Sequence, residues 1–123
     1  MEGLKFSKTH EWVKFEGDTA IVGISDFAQN AMGDIVFADL PEAGDEVTAG
    51  EAFGEIESVK AVSDVNSPVS GRIAEINVDL LDSPEMINEA PYDAWFIRVV
   101  DVTDHLPDLM GSDEYATFCE SEQ

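Results

Sequence analysis

The chain has 123 residues, of which 44% are hydrophobic, enough for one domain of modest core, about 1–123. Its 27 acidic and 6 basic residues leave a formal net charge of −21. That charge excludes nucleic acid and anionic membranes as partners, opposes self-association, and favours a monomer steered towards basic docking faces. No apolar run reaches membrane-spanning length, and the N-terminus, Met1-Glu2-Gly3-Leu4-Lys5-Phe6, lacks the apolar core of a signal peptide. A cytoplasmic protein is expected, or one of the mitochondrial matrix if a targeting segment has been removed. Cys119 is the single cysteine, so no internal disulfide is possible.

Strand signals fill the first hundred residues. Residues 12–15 and Thr19–Ile24 flank Glu16-Gly17-Asp18, a hairpin turn. Ser25 predicts an N-cap for a short helix, Asp26–Met32, stopped by Gly33. Residues 34–40 return to strand until Pro41, and turns follow at Gly44, Gly50 and Gly71. Ala52–Ser58 and Val62–Asn66 read as two strands, with Val59-Lys60-Ala61 between them. A strand at 72–78, a helical turn from Ser83-Pro84-Glu85 and a strand at 95–100 complete the main body, with the core placed at about 18–100. Residues 103–110 and 112–120 read as two short helices split by Gly111, a helical C-terminal segment at about 103–120. Short strands at this spacing predict a mainly β fold, a β-sandwich or flattened barrel with short helices and a helical C-terminal cap.

Lys60 stands apart. Four lysines exist, three of them within the first 14 residues, so Lys60 is alone in the rest of the chain. A hairpin tip holds a side chain out to solvent and to another protein's active site. Spacing alone leaves two readings open: an ordinary surface ion pair with Glu57 or Asp64, or a lysine displayed for modification. His10 and His105 are far apart and have no cysteine partner, so no metal site is expected. Trp12, Trp95 and the phenylalanines read as core. No nucleophilic triad, phosphate loop or HExxH helix is visible, so no catalytic residue is expected.

The segment 54–61, Gly-Glu-Ile-Glu-Ser-Val-Lys-Ala, followed by Ser63-Asp64-Val65-Asn66-Ser67-Pro68, resembles the lipoylation segment of glycine cleavage H proteins. Thr9-His10-Glu11-Trp12-Val13, Val22-Gly23-Ile24-Ser25, Gly33-Asp34-Ile35-Val36-Phe37, Leu40-Pro41, Pro91-Tyr92 and Glu114-Tyr115 resemble further blocks of that family, in the same order. Two positions depart from it: Asp93-Ala94 precedes Trp95 where Gly is common, and Ser25 replaces a common Thr.

The resemblance implies a lipoyl-domain-like barrel-sandwich hybrid and a carrier without catalysis of its own. It implies lipoate joined to Lys60 by an amide. It also implies an arm that takes the aminomethyl group of glycine from the pyridoxal-phosphate glycine decarboxylase to the tetrahydrofolate-dependent aminomethyltransferase, with reoxidation by dihydrolipoamide dehydrogenase. Lipoate-attaching enzymes are a further implied partner, and a lipoate relay to other proteins a further implied role. Thr9, Glu11 and Asp64 match positions that the family places near the docked arm. Three other readings compete: a lipoyl domain of a 2-oxoacid dehydrogenase, which has Asp before the lysine where this chain has Val59; a biotin carrier, which favours Met on both sides of the lysine; and an unmodified acidic interaction protein.

Overall fold

A computed structural model describes residues 3–122. Met1, Glu2 and Gln123, the ends of the expected domain, lie outside the described residues.

Among the described residues, nine strands form two antiparallel sheets. The larger has the order β1 (Leu4–Phe6), β2 (Glu11–Glu16), β3 (Thr19–Ile24), β9 (Ile97–His105), β8 (Val69–Ile76), β5 (Glu46–Val47). The smaller has the order β4 (Ile35–Asp39), β6 (Ala52–Ser58), β7 (Val62–Asn66). Four helices accompany them: α1 (Asp26–Met32), α2 (Asp79–Asp82), α3 (Met86–Glu89) and α4 (Ser112–Glu122). The mainly β architecture with a C-terminal helix is the one expected.

Alternation along the strands explains the layering. Val13, Val22, Val69, Ile73, Ile97 and Val99 point inward from the larger sheet, and Ile35, Ala38, Ile56 and Val65 meet them from the smaller one. A second cluster lies beyond the edge of the larger sheet, where Phe6, Trp12 and Met110 pack against Tyr115 and Cys119 of α4. Gly23 pairs directly with Trp12 across β2 and β3. A Cβ at Gly23 would sit 2.6 Å from the indole, so only glycine leaves room for the ring. The indole Nε1 donates to Pro91 O at 3.0 Å.

Several expectations need correction. Residues 103–110 are not a helix. β9 runs on through His105 because β8 starts at Val69 and offers it a partner, pairing Val69 with His105 and Ser70 with Asp104. Met110 then exchanges two backbone hydrogen bonds with Phe6, both 2.8 Å. Ladder pairing outweighs the local pattern that suggested helix. The 95–100 strand starts at Ile97, and the 72–78 strand starts three residues earlier and ends at Ile76. Burial begins at Phe6, ahead of the expected core start near residue 18. The strands β1 and β5 and the helix α2 were too short to leave a periodic signal. Phe15 and Phe37 are not core: they are 37% and 50% exposed. Trp95 is half-buried, with the Arg98 guanidinium 5.9 Å from its ring centre.

Among the described residues, no helix is long and apolar enough to cross a membrane.

Candidate functional site

Lys60 lies between β6 and β7, whose register runs from Ala52–Asn66 to Glu57–Val62. The tip is closed by Ser58, whose backbone N–H donates to Ala61 O at 2.8 Å. The Ser58 hydroxyl oxygen accepts from the N–H groups of Lys60 and Ala61, at 3.2 and 3.1 Å. Val59 N–H donates to Asp34 O at 3.1 Å, tying the tip to the segment before β4. Asn88 of α3 holds that segment in turn. Its amide donates to Gly33 O at 2.9 Å, and its carbonyl oxygen accepts from Ile35 N–H at 2.8 Å. The Lys60 backbone is therefore held in place while its side chain stays exposed.

Among the described residues Lys60 makes no ion pair with a carboxylate, so neither Glu57 nor Asp64 neutralises it. Its stem instead passes over Gly33, the C-cap of α1. A Cβ there would meet Lys60 Cε at 3.3 Å, and the Gly33 φ of 84° is itself costly for other residues. Around the lysine the surface is apolar. Val59, Val62, Val36 and Phe37 are all at least half exposed. Phe37 and Val62 flank Glu57 on neighbouring strands.

A cleft of about 150 Å³ lies between α1, β7 and the loop that joins β1 to β2. Ile24, Ala28, Ala31, Met32, Ile56 and Val65 make its walls apolar, and Thr9, His10, Glu11, Ser63 and Asp64 supply the polar groups. It thus brings Asp64 together with Thr9 and Glu11, which lie far from it in sequence. Lys60 does not line it. It sits beside the Gly33 end of α1, next to Met32.

The polar residues are not equivalent. Glu11 is 2% exposed, while Thr9 and Asp64 are exposed. The Glu11 carboxylate receives the Ser7 hydroxyl at 2.7 Å, the Thr9 hydroxyl, and the Asn66 backbone N–H at 3.0 Å. Burial pushes its pKa above the usual carboxylate range, and those three donors pull against that shift. A cation entering the cleft would relieve the same cost, so Glu11 has more to gain from one than Asp64 has.

Ser7, the Asn66 N–H and the α1 wall were missed by sequence reasoning. The signals available were faint: a serine four residues before Glu11, and small residues at helical spacing, Ala28 and Ala31, on a helix of 7 residues. His10 and His105 stay apart. His10 bonds Tyr115 and Glu122, and His105 bonds the Leu106 carbonyl oxygen.

An apolar cleft with a buried carboxylate, and an exposed, unpaired lysine beside the end of its α1 wall, could accommodate a lysine-borne apolar arm whose far end is cationic. Comparison with known proteins identifies the family. The glycine cleavage H-protein family model matches residues 4–122. The H protein of Lachnoclostridium phytofermentans is 50% identical over 123 residues, covering 99% of this chain and 96% of that one. The mitochondrial H protein of Pisum sativum is 50% identical over 124 residues, covering 99% of this chain and 75% of the relative. The crystal structure of an H protein from Mycobacterium marinum superposes with a TM-score of 0.89 at 38% identity, covering 100% of this chain and 99% of that one. On a match that runs nearly end to end in both sequence and fold, the chain belongs to the glycine cleavage H-protein family.

Proposed function

We propose that this protein is the lipoyl carrier of a glycine cleavage system, non-catalytic in itself, with Lys60 as its attachment site. The observation that carries the reading is the unpaired Lys60 on a pinned hairpin tip, beside an apolar cleft that ends in the buried Glu11 carboxylate. Acylation of Nζ by lipoate would remove the lysine charge and leave an arm reaching roughly 10–15 Å from the backbone. When bound, lipoate would supply a disulfide that is reduced as it accepts the aminomethyl group of glycine, and dihydrolipoamide dehydrogenase would reoxidise the dithiol left after transfer.

The chain's own residues position, shelter and present. Ser58, Asp34 and Asn88 fix the base of the arm. The apolar walls exclude water, which would otherwise convert the bound aminomethyl group to formaldehyde and ammonia and leave a free thiol. Glu11 and Asp64, with Thr9 beside them, hold the ammonium of that group by charge-assisted hydrogen bonds. The acidic surface steers docking to the glycine decarboxylase, the aminomethyltransferase, dihydrolipoamide dehydrogenase and the lipoate-attaching enzymes. The apolar skirt of Val36, Phe37, Val59 and Val62 surrounds the residue that each must reach. The protein works as a monomer and as one unit.

Intact mass of natively purified protein is the test. A mass increase of one lipoyl group, lost in Lys60→Arg, is expected. A biotinyl increment, an unmodified chain, or lipoylation that survives Lys60→Arg overturns the reading.

A further inference from the structure

We infer that Tyr115 on α4 is a positioning residue that bolts the two walls of the cleft together and so sets how firmly the cleft holds its contents. One wall is α1, whose N-cap Ser25 accepts the Ala28 N–H at 3.2 Å. The opposite wall is the loop from Ser7 to Glu11, which carries the cleft carboxylate. Tyr115 reaches both. Its hydroxyl lies 2.6 Å from Ser25 Oγ and 2.7 Å from His10 Nδ1.

With a neutral imidazole, one arrangement of protons satisfies every group. Ser25 donates to the Tyr115 oxygen, Tyr115 donates to His10 Nδ1, and His10 Nε2–H donates to Glu122 Oε1 at 2.8 Å. Burial of the Tyr115 hydroxyl raises its pKa and keeps its proton in place.

The bolt is anchored outside the cleft. The Tyr115 ring stacks on Phe6 with centroids 4.3 Å apart and planes 5° from parallel. The His10 ring stacks on Phe27 of α1 at 4.6 Å. His10 holds a φ of 75°, a conformation that a non-glycine residue keeps only where its surroundings enforce it. That backbone reversal is what turns the next residue, Glu11, into the cleft. His10 O also accepts from Ser25 N–H at 2.9 Å, so the walls meet directly through this bond and the His10–Phe27 stack, and are bridged by Tyr115 as well. Tyr115 is absent from the cleft lining, so its effect on the arm is indirect.

This inference rests on the reading of the cleft as the seat of the lipoyl arm, but its first test does not. In unlipoylated Tyr115→Phe, native-state amide exchange should quicken by about two- to tenfold at Asn66 and Ala28, the factor that one ordinary hydrogen bond represents. Ile97→Val, a core change of similar cost on a strand that carries no bolt residue, serves as the control and should not single out those two amides. Glu122→Ala at an exposed position removes only the outer bond and should quicken the same amides less, which keeps the test alive if Tyr115→Phe does not fold. In the loaded protein, Tyr115→Phe should release formaldehyde faster than the Ile97→Val control by a similar factor. Exchange at Asn66 and Ala28 that matches the control overturns the bolt, whatever happens to the arm. Lipoylation that survives Lys60→Arg would overturn the proposed function and leave the exchange result standing.

Discussion

Lys60 and Glu11 stand at the two ends of the proposed functional surface, and they are built in opposite ways. At Lys60 the backbone is held by Ser58, Asp34 and, through Gly33 and Ile35, by Asn88, while the side chain has no ionic partner and is exposed. At Glu11 the side chain is the restrained part: it is 2% exposed and three donors converge on its carboxylate. In the proposed function one end presents an amine to other proteins, and the other receives a group and keeps water away.

The sharpest way to break this comparison is to change the presenting end. Lys60→Arg should lose all lipoylation yet shift stability by no more than about 0.5 kcal/mol, since an exposed tip makes few packing contacts. Intact mass and thermal unfolding check both halves together. A large loss of stability would mean that the tip is part of the packed structure and is no mere display.

The receiving end should respond in retention. A charge-assisted hydrogen bond contributes about 1–3 kcal/mol, or roughly five- to a hundredfold in release. Glu11→Gln should therefore speed formaldehyde release from loaded protein, in the absence of the transferase, by a factor within that range. Asp64→Asn should give a smaller increase, because solvent already screens that carboxylate. Equal leakage from parent and both variants would leave the apolar walls as the whole of the protection.

Much of this was legible beforehand, and the reasons for the gaps are physical. The Lys60 hairpin could be read because β6 and β7 are long enough to show themselves and their connection is short. The Ser25 cap could be read because capping is a local interaction, and the structure shows its oxygen accepting from Ala28 N–H. The path of residues 103–105 could not, because the strand there exists only by pairing with Val69 and Ser70, more than thirty residues away. The same holds for the site. Family motifs point to Thr9, Glu11 and Asp64, but nothing local says that Glu11 is buried and Asp64 is not, or that the Asn66 backbone supplies a donor. Tertiary placement decides those differences.

A smaller effect concerns docking. With 27 acidic against 6 basic residues, association with basic partner faces should slow as salt shortens the Debye length from about 10 Å at 0.1 M to 3 Å at 1 M. The apolar skirt around Lys60 is not screened, so dissociation should change less than association. Stopped-flow binding to the decarboxylase separates the two rates. Association that ignores salt would mean that the apolar skirt, and not the charge, governs docking.

The smallest effect is a pH signature that isolates Glu11. Burial is the main cause of its shift and raises its folded-state pKa above the unfolded value. The sign follows from linkage: the folded protein holds this proton more tightly, so the contribution to stability is fully present below the unfolded pKa and is lost as pH rises through the folded one. Once ionised, the carboxylate therefore weighs against folding, in spite of its three donors. Glu11→Gln has no such proton to lose. It will differ from the parent by a fixed amount from its altered hydrogen bonds, and that amount does not titrate. What should titrate is the gap between the two proteins: the stability of Glu11→Gln relative to the parent should rise as pH climbs through and above the carboxylate range, then level off. Urea unfolding of both proteins at several pH values reads this gap directly. A gap that stays flat would mean that Ser7, Thr9 and Asn66 cancel the burial cost in full. A gap that moves the other way would mean that they outweigh it, and that the three converging donors favour the charged carboxylate over the neutral acid.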